Sequence, residues 1–260
     1  MVTWMKKPKE RSPKKERLVI IANIVVILLV FAAAWYVNDY ARADATALDM
    51  VYGEESESDV IEEKVLNSGD IAFIPADPVA GLIFYPGAKV EPEAYAPLME
   101  QLADRGILCV IVSPLFKLPL FDADAANGVA EQFPEVDTWY IAGHSMGGVA
   151  AADYLSHHEG DFEGIVFLAS YPSVDLSGYS GKVLSIVGSN DEVLNRQSYE
   201  DAQSKLPAST RELVIEGGNH AYYGDYGEQA GDGQATISRA DQQAQTAAAI
   251  AELVSRAALI

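Results

Sequence analysis

Apolar positions follow two different patterns along this chain. Residues 18–37 form one uncharged run of twenty residues, whereas short runs rich in Ile, Val and Leu recur from residue 71 onward. As a helix, the long run would extend about 30 Å, which matches the hydrocarbon thickness of a bilayer. The sequence therefore predicts a transmembrane helix over residues 18–37, followed by a globular region.

The short apolar runs predict seven strands, or eight if residues 60–65 are included. Several of them are continuous rather than alternating, which is typical of a sheet covered on both faces. The seven runs cover residues 71–74, 81–85, 107–112, 138–142, 164–170, 182–188 and 211–216.

Helical spacing separates several of these runs. Apolar residues recur at helical intervals from Tyr95 to Leu102 and in the last predicted helix, which Ser238 and Asp241 open as a candidate capping box. Strands that alternate with helices predict an α/β fold, with a mostly parallel central sheet of about seven or eight strands flanked by helices. Ten residues separate Tyr171 from Lys182, too few for a large cap domain, so we expect an open site.

Charge is divided sharply along the chain, whose net charge is −20. Residues 1–17 hold seven Lys or Arg and two Glu, a net +5, so the remaining residues carry −25. Lys and Arg beside a membrane span favour the cytoplasmic side. Residues 1–17 are therefore predicted as a cytoplasmic tail. The protein is expected to cross the cell membrane once, with its globular domain extracytoplasmic. Residues 38–58 are predicted as an acidic stalk and residues 59–260 as the globular domain.

A cleaved signal peptide is the alternative for the N-terminal segment. Ala41-Arg42-Ala43 and Ala43-Asp44-Ala45 are possible cleavage sites. The apolar run is longer than the core of about 7–15 residues that is usual in signal peptides, which favours an uncleaved signal-anchor.

The composition also excludes some classes of partner and cofactor. An acidic body would repel the phosphate backbone, so no nucleic-acid partner is expected. The single cysteine, Cys109, lies in a predicted buried strand and is expected to be a small core residue. No cluster of His, Asp or Glu has convincing metal-ligand spacing, so neither a metal nor another cofactor is predicted.

The strongest chemical signal is Gly143-His144-Ser145-Met146-Gly147-Gly148, directly behind the run at residues 138–142. A G-x-S-x-G string on a turn from strand to helix exposes the serine oxygen to a substrate carbonyl. Glycines on both sides allow the chain to bend and the helix to pack closely. The pattern predicts Ser145 as a nucleophile, and His144 is expected to be a packing residue facing away from it.

Two further residues fit the serine as partners. Asp191 follows the run at residues 182–188 and His220 follows the run at residues 211–216, so all three residues come after strands. Functional groups of a parallel sheet collect at the carboxyl ends of its strands. A serine hydroxyl needs a neighbouring base, so His220 is predicted to accept its proton and Asp191 to orient the imidazole, with Glu192 as the alternative acid.

The order Ser, Asp, His on an α/β pattern resembles the α/β-hydrolase superfamily. More narrowly, residues 85–95, the elbow at Ser145 and the segment Glu216-Gly217-Gly218-Asn219-His220 resemble the α/β-hydrolase fold-5 group, which is related to dienelactone hydrolases. The resemblance covers residues 71–253 and implies an α/β-hydrolase domain within residues 59–260, with Asp191 matching the group's Gly-x-x-Asp pattern. Dienelactone hydrolases use a cysteine nucleophile where this chain has Ser145, so their lactone specificity is not implied.

An oxyanion hole and an acyl pocket complete the predicted site. The hole should use the backbone N–H of Met146, the residue after the nucleophile, and one from the loop after residues 81–85. Pro86-Gly87 stands where relatives have His-Gly, which points to Ala88 as the second donor, with Lys89 as the alternative. Aromatic and apolar residues after the strands are candidates for binding the substrate, namely Leu115, Phe116, Tyr171 and Tyr222.

These expectations combine into a carboxylesterase-like serine hydrolase, held in the membrane through residues 18–37, that cleaves small-molecule esters or thioesters through an acyl-enzyme intermediate. A non-catalytic α/β-hydrolase scaffold that binds a partner at the membrane remains a second class, because fold alone does not determine function. An acyltransferase or a peptidase would use the same three residues.

Overall fold

The computed structural model of the protein describes residues 13–53 and 61–255. These residues belong to two compact units, which divide after Asp39. In the first unit, helix α1 (Pro13–Asn38) contains the predicted span and is exposed along its length. By length and composition, α1 is the one helix of the described residues that is able to cross a membrane.

The second unit starts at Tyr40 and contains one eight-stranded sheet. Its strands are β1 (Ile61–Val65), β2 (Ile71–Pro75), β3 (Ala80–Tyr85), β4 (Ile107–Ile111), β5 (Trp139–His144), β6 (Gly164–Leu168), β7 (Lys182–Gly188) and β8 (Arg211–Ile215). All eight predicted strands are confirmed. No strand end differs from its expected position by more than two residues, and the bounds of β7 match.

Helices connect most of these strands. The α-helices of this unit are α2 (Ala45–Tyr52), α3 (Ala96–Ala103), α4 (Met146–His157), α5 (Arg196–Ala202) and α6 (Arg239–Ser255). Short 3₁₀ helices cover Pro92–Tyr95, Leu115–Lys117, Pro119–Phe121, Ala123–Ala126, Ala130–Gln132, Glu159–Asp161, Gln203–Lys205 and Ala221–Tyr223. The predicted capping box precedes α6, where the Asp241 N–H donates to Ser238 Oγ at 3.0 Å and Ser238 Oγ–H donates to the Asp241 carboxylate at 2.7 Å.

The strand order in the sheet is β1-β2-β4-β3-β5-β6-β7-β8. β2 pairs antiparallel with both β1 and β4, and the other neighbouring strands are parallel. The chain passes from β3 to β4 on one side and then crosses to β5 on the other. Since this reversal creates a crevice at the carboxyl ends of β3 and β5, ligand-binding groups are expected there.

The core has one layer on each face of the sheet. Alternate residues of β3 show this, because Leu82 and Phe84 pack in the layer that includes α3 and α6, whereas Ile83 and Tyr85 pack in the layer that includes α4. Cys109 is buried in the first layer as expected, and burial raises the pKa of its thiol. The fully covered strands explain why their sequences are continuous apolar runs.

The segment after Asp39 differs from the solvated stalk expected over residues 38–58. Ala41 forms a parallel bridge with Val90, and the buried side chains of Ala43 and Ala47 pack into the core of the second unit. Asp44 caps α2 by accepting from the Ala47 N–H at 3.1 Å. Small side chains and one cap therefore hold residues 40–53 against the body, while residues 54–58 lie outside the described part of the chain.

Candidate active site

Ser145 lies on the turn between β5 and α4, as the elbow motif predicts. Its backbone has φ 52° and ψ −122°, a combination that is strained for a residue with a Cβ atom. Two hydrogen bonds hold this conformation, because the Ser145 N–H donates to the Leu168 carbonyl at 2.9 Å and Ser170 Oγ donates to the Ser145 carbonyl at 2.6 Å. The turn presents a half-buried serine side chain at the carboxyl end of the sheet.

The glycines around Ser145 are required by close approach of the backbone. A Cβ atom on Gly147 would lie 2.3 Å from the carbonyl oxygens of Tyr85 and Pro86, and one on Gly143 would lie 2.3 Å from the Gly147 carbonyl carbon. Neither position tolerates a side chain without movement of the main chain. The first turn of α4 therefore packs directly on β5 and on the loop after β3.

His220 and Asp191 form a buried pair. Their atoms Nδ1 and Oδ2 are 2.9 Å apart, and both side chains are almost fully buried. The other oxygen of Asp191 accepts from the N–H groups of Val193 at 2.9 Å and Leu194 at 2.8 Å. Because a carboxylate only accepts, this arrangement places the Nδ1 hydrogen of His220 toward Asp191 and leaves Nε2 as the proton acceptor of the ring.

Ser145 and His220 line the same cavity, which has a volume of about 240 Å³ and is called the Ser145 cavity below. Its apolar walls include Leu120, Val149 and Leu194. Among the residues that the structure describes, none forms a hydrogen bond with Ser145 Oγ. Contacts between nucleophile and base are often long before a substrate binds, so their presence in one cavity is the informative observation.

The predicted substrate-binding residues are divided by the structure. Tyr171 lines the Ser145 cavity. Leu115 and Phe116 are 56% and 55% exposed and lie outside the cavity lining, because their loop directs them toward solvent. Tyr222 also lies outside it, since its hydroxyl donates to Glu228 at 2.9 Å and the Arg239 guanidinium covers its ring.

Sequence reasoning missed several residues of the cavity wall, among them Leu120, Val193 and Leu194. The last two follow Asp191 by two and three positions, and its carboxylate accepts from their backbone N–H groups. This proximity to a predicted catalytic residue was a usable signal for Val193 and Leu194. Leu120 had no such signal, because the bends that direct it into the cavity depend on the folded loop.

The candidate oxyanion donors lie on adjacent turns. Met146 is the first residue of α4, where the N–H groups have no acceptor within the helix, and it lines the Ser145 cavity. In the loop after β3, the Gly87 N–H donates to Tyr95 Oη at 3.0 Å and the Lys89 N–H to the Lys117 carbonyl at 2.7 Å. The Ala88 N–H has no acceptor among the described residues, which favours Ala88 over Lys89 as the second donor.

His144 is buried as expected, but it contacts the predicted base. Its ring centroid lies 4.6 Å from that of His220, and its Nδ1 is 2.8 Å from Tyr95 Oη. Burial, reinforced by the neighbouring His220, holds the pKa of His144 well below its usual range, although the backbone of His220 opposes this shift. His144 is therefore a neutral ring between His220 and Tyr95.

The hydrogen bonds of Tyr95 define the role of His144 further. Burial raises the pKa of the Tyr95 phenol, which keeps its hydrogen. Since Tyr95 Oη accepts from the Gly87 N–H, its own hydrogen is assigned to His144 Nδ1, which leaves the His144 hydrogen on Nε2. A continuous chain of contacts thus runs from the loop after β3, through Tyr95 and His144, to His220.

Among residues 13–53 and 61–255, no group of three or more His, Cys, Asp or Glu side chains is arranged to hold a metal ion.

Comparisons with known proteins agree with this architecture. The profile of the alpha/beta hydrolase family matches residues 81–244, more than half of the chain. The protein therefore belongs to the alpha/beta hydrolase family. A comparison with curated proteins found no match.

Several solved structures share the fold. The predicted CIB-like hydrolase from Thermoplasma acidophilum is 15% identical with a TM-score of 0.55, over 74% of this chain and 99% of that one. Est1E from Butyrivibrio proteoclasticus is 14% identical with a TM-score of 0.54, over 76% and 98%. TT1662 from Thermus thermophilus is 17% identical with a TM-score of 0.55, over 75% and 98%. At these identities, the similarity establishes the fold.

Proposed function

We propose that this protein is a membrane-anchored serine hydrolase that cleaves carboxylic esters or thioesters through an acyl-enzyme intermediate. One observation carries the proposal, namely that His220, which pairs with the buried Asp191, lines the same cavity as the strained Ser145. Nucleophile, base and orienting acid are the three parts that acyl transfer by serine requires. Membership of the alpha/beta hydrolase family supports the same reaction class.

In the proposed reaction, His220 Nε2 removes the hydroxyl proton as Ser145 Oγ attacks the carbonyl carbon. The carbonyl oxygen becomes negatively charged and is stabilised by the N–H groups of Met146 and Ala88. His220 then donates its proton to the leaving alcohol or thiol, which separates as the acyl-enzyme forms. Asp191 stabilises the imidazolium in both steps, and a water molecule activated by His220 releases the acid.

The proposed location follows from the first unit. α1 is long and apolar enough to span a bilayer, and residues 1–17 carry a net charge of +5. We place the N-terminus in the cytoplasm and the hydrolase body on the other side. Alkylation by an impermeant thiol reagent of single cysteines placed in the two flanks tests this orientation, and a body that reacts only after cell lysis would contradict it.

A fluorophosphonate probe on the full-length protein tests the chemistry. Wild type should be labelled, whereas S145A and H220A should lose labelling and at least about 10³-fold in ester kcat. Ser180 provides the matched control. It lines a second cavity beside the first residue of β7, whereas the Ser145 cavity lies at the carboxyl ends of the strands. S180A should behave as wild type, and labelling of S145A at the wild-type level would remove the proposed nucleophile.

A further inference from the structure

An exposed apolar loop lies beside the Ser145 cavity. Four of its side chains are 49–77% exposed, namely Leu115, Phe116, Leu120 and Phe121, and we call residues 115–121 the apolar loop. Single exposed apolar residues are ordinary on a protein surface, but four within seven residues form a patch of the kind found at interaction sites. The proposed reaction does not use this patch.

The backbone holds these side chains outward. Phe116 and Lys117 both have positive φ, 57° and 56°, which is uncommon for residues other than glycine and is rare in succession. The Leu115 N–H donates to the Asp122 carboxylate at 2.8 Å, and Leu118 and Pro119 between the exposed residues are buried. The loop is thus pinned from within in a conformation that keeps Phe116 and Phe121 in solvent. Strained, well-supported backbone of this kind is concentrated at functional sites.

The apolar loop also contacts Tyr40, the first residue of the second unit. The Lys117 carbonyl accepts from the Lys89 N–H at 2.7 Å, and Lys117 Nζ lies 4.1 Å from the centre of the Tyr40 ring. Tyr40 follows Asn38, the last residue of α1, by two positions, which a chain spans with at most about 7 Å. The loop therefore contacts the residue with which the second unit begins, two positions along the chain from the end of the proposed span.

The apolar loop also contributes to the candidate active site, because Leu120 lines the Ser145 cavity together with Ser145 and His220. Met146, whose N–H is the proposed oxyanion donor, adds a further exposed apolar side chain at the cavity. A continuous apolar surface therefore extends from the loop to the nucleophile.

We propose that the apolar loop inserts into the bilayer surface and that the enzyme takes lipid esters directly from the membrane. This substrate class rests on the proposed hydrolase function and on the proposed anchor. The bilayer is the occupant that the surroundings favour, since the patch begins beside the residues that follow the span. A body with a net charge near −25 gains no general attraction to anionic lipid, so apolar burial must drive the contact.

Site-specific labels on the full-length protein in phosphatidylcholine vesicles test the insertion. An environment-sensitive fluorophore is attached to F121C, with V79C as the control. Val79 is 67% exposed and lies beside the first residue of β3, whereas the Ser145 cavity lies at the carboxyl ends of the strands. Cys109 is buried and leaves one reactive thiol in each variant. The label at 121 should be blue-shifted and quenched by brominated acyl chains, and the label at 79 should not.

Equal quenching at the two positions would overturn the proposal. So would formation of disulfide-linked dimers by F121C without quenching by lipid, because it would assign the apolar loop to contact between copies of the chain.

Substrate presentation separates this inference from the proposed function. F121S should lower turnover of a long-chain ester dissolved in the vesicles by about tenfold, the effect of losing one buried aromatic side chain, and should leave a short water-soluble ester unchanged. V79S should change neither rate. An unchanged rate of F121S on the vesicle ester would overturn the inference while leaving the hydrolase intact. A wild type inactive on both esters would refute the proposed function, and the labels at 121 and 79 would still report insertion.

Discussion

The two ends of the sheet each have a cavity, and the larger one is at the end without the candidate chemistry. The Ser145 cavity, at the carboxyl ends of the strands, has about 240 Å³, whereas the cavity beside the first residues of β7 and β8 has about 320 Å³. We call the second the Arg211 cavity, after a residue that lines it with Ser180 and Lys182. Between these two cavities, volume alone would have favoured the end without the candidate residues.

The difference lies in how polar groups are used. In the Arg211 cavity, Arg211 pairs with Glu252 at 3.1 Å and Lys182 Nζ donates to the Leu253 carbonyl at 3.1 Å, so both cations hold α6 against the sheet. At the Ser145 end, both oxygens of Asp191 are engaged, whereas Ser145 Oγ and His220 Nε2 form no hydrogen bond within the described part of the chain. A candidate active site is recognised by side chains that are held in position but still have an atom free to react with a substrate.

The largest effect should come from the acid that orients His220. D191N replaces an oxygen acceptor by an amide whose N–H₂ opposes the required tautomer of His220, so kcat on a soluble ester should fall by about 10³–10⁴-fold. R211Q is the matched change at the other end and should retain kcat within about twofold. Steady-state kinetics measure kcat of D191N, R211Q and wild type, after thermal unfolding has shown that their melting temperatures are similar. If both variants kept wild-type rates, Asp191 would not be part of the machinery.

Glycine substitutions test whether the Ser145 end is packed more tightly. G147A would place a Cβ 2.3 Å from two backbone oxygens, so it should lower the free energy of unfolding by about 2–3 kcal/mol. Gly178, in the segment before β7, has no heavy atom within 4 Å of an added Cβ. G178A should therefore be neutral or stabilising by up to about 1 kcal/mol. Urea unfolding in detergent micelles provides both values, and equal stabilities of the two variants would contradict the packing difference.

The features that sequence could predict are those set by local patterns. Buried strands are continuous apolar runs, so their positions were recovered, and the capping box at Ser238 and Asp241 was recovered because its two residues bind each other across one turn. The elbow at Ser145 is equally local. Its candidate partners Asp191 and His220 could be proposed from their order along the chain, since parallel strands bring successive loops to one edge.

The features that sequence could not predict depend on distant contacts or on disfavoured backbone. His144 touches His220 because β5 and the segment after β8 meet in space, and no spacing in the chain encodes that contact. The exposure of Leu115 and Phe116 depends on positive φ at Phe116 and Lys117, which residue preferences argue against. The acidic composition after Asp39 predicts a solvated segment. The packing of Ala43 and Ala47 on the body was missed because their side chains are small and give no strong apolar signal.

His144, at the Ser145 end of the sheet, should make the free energy of unfolding depend on pH in the acid range. Because its pKa is lowered on folding, the unfolded chain binds more protons than the native state below about pH 6.5, and stability must fall as the pH falls through that region. Each proton difference corresponds to about 1.4 kcal/mol per pH unit. H144N, whose Oδ1 can replace Nδ1 as the acceptor from Tyr95, should flatten this dependence between pH 7 and pH 5.

Unfolding titrations at the two pH values measure the difference. Identical slopes for wild type and H144N would show that His144 is not the buried neutral group.

The smallest effect concerns Ser145 itself. S145G removes the Cβ atom from a strained conformation and should raise the free energy of unfolding by about 1 kcal/mol, after the greater freedom of glycine in the unfolded chain is subtracted. S145A is equally inactive by expectation but retains the Cβ, so it should match wild-type stability. Thermal unfolding compares the two, and a less stable S145G would show that the turn is not strained.

The strained turn at Ser145 also bears on how such a protein persists through evolution. Selection for a durable fold alone would favour replacements that relax this turn, and the simplest of them removes the hydroxyl. Lineages that no longer need the reaction should therefore lose the serine early while the sheet stays intact. Directed evolution for heat resistance without a screen for turnover should drift in the same direction.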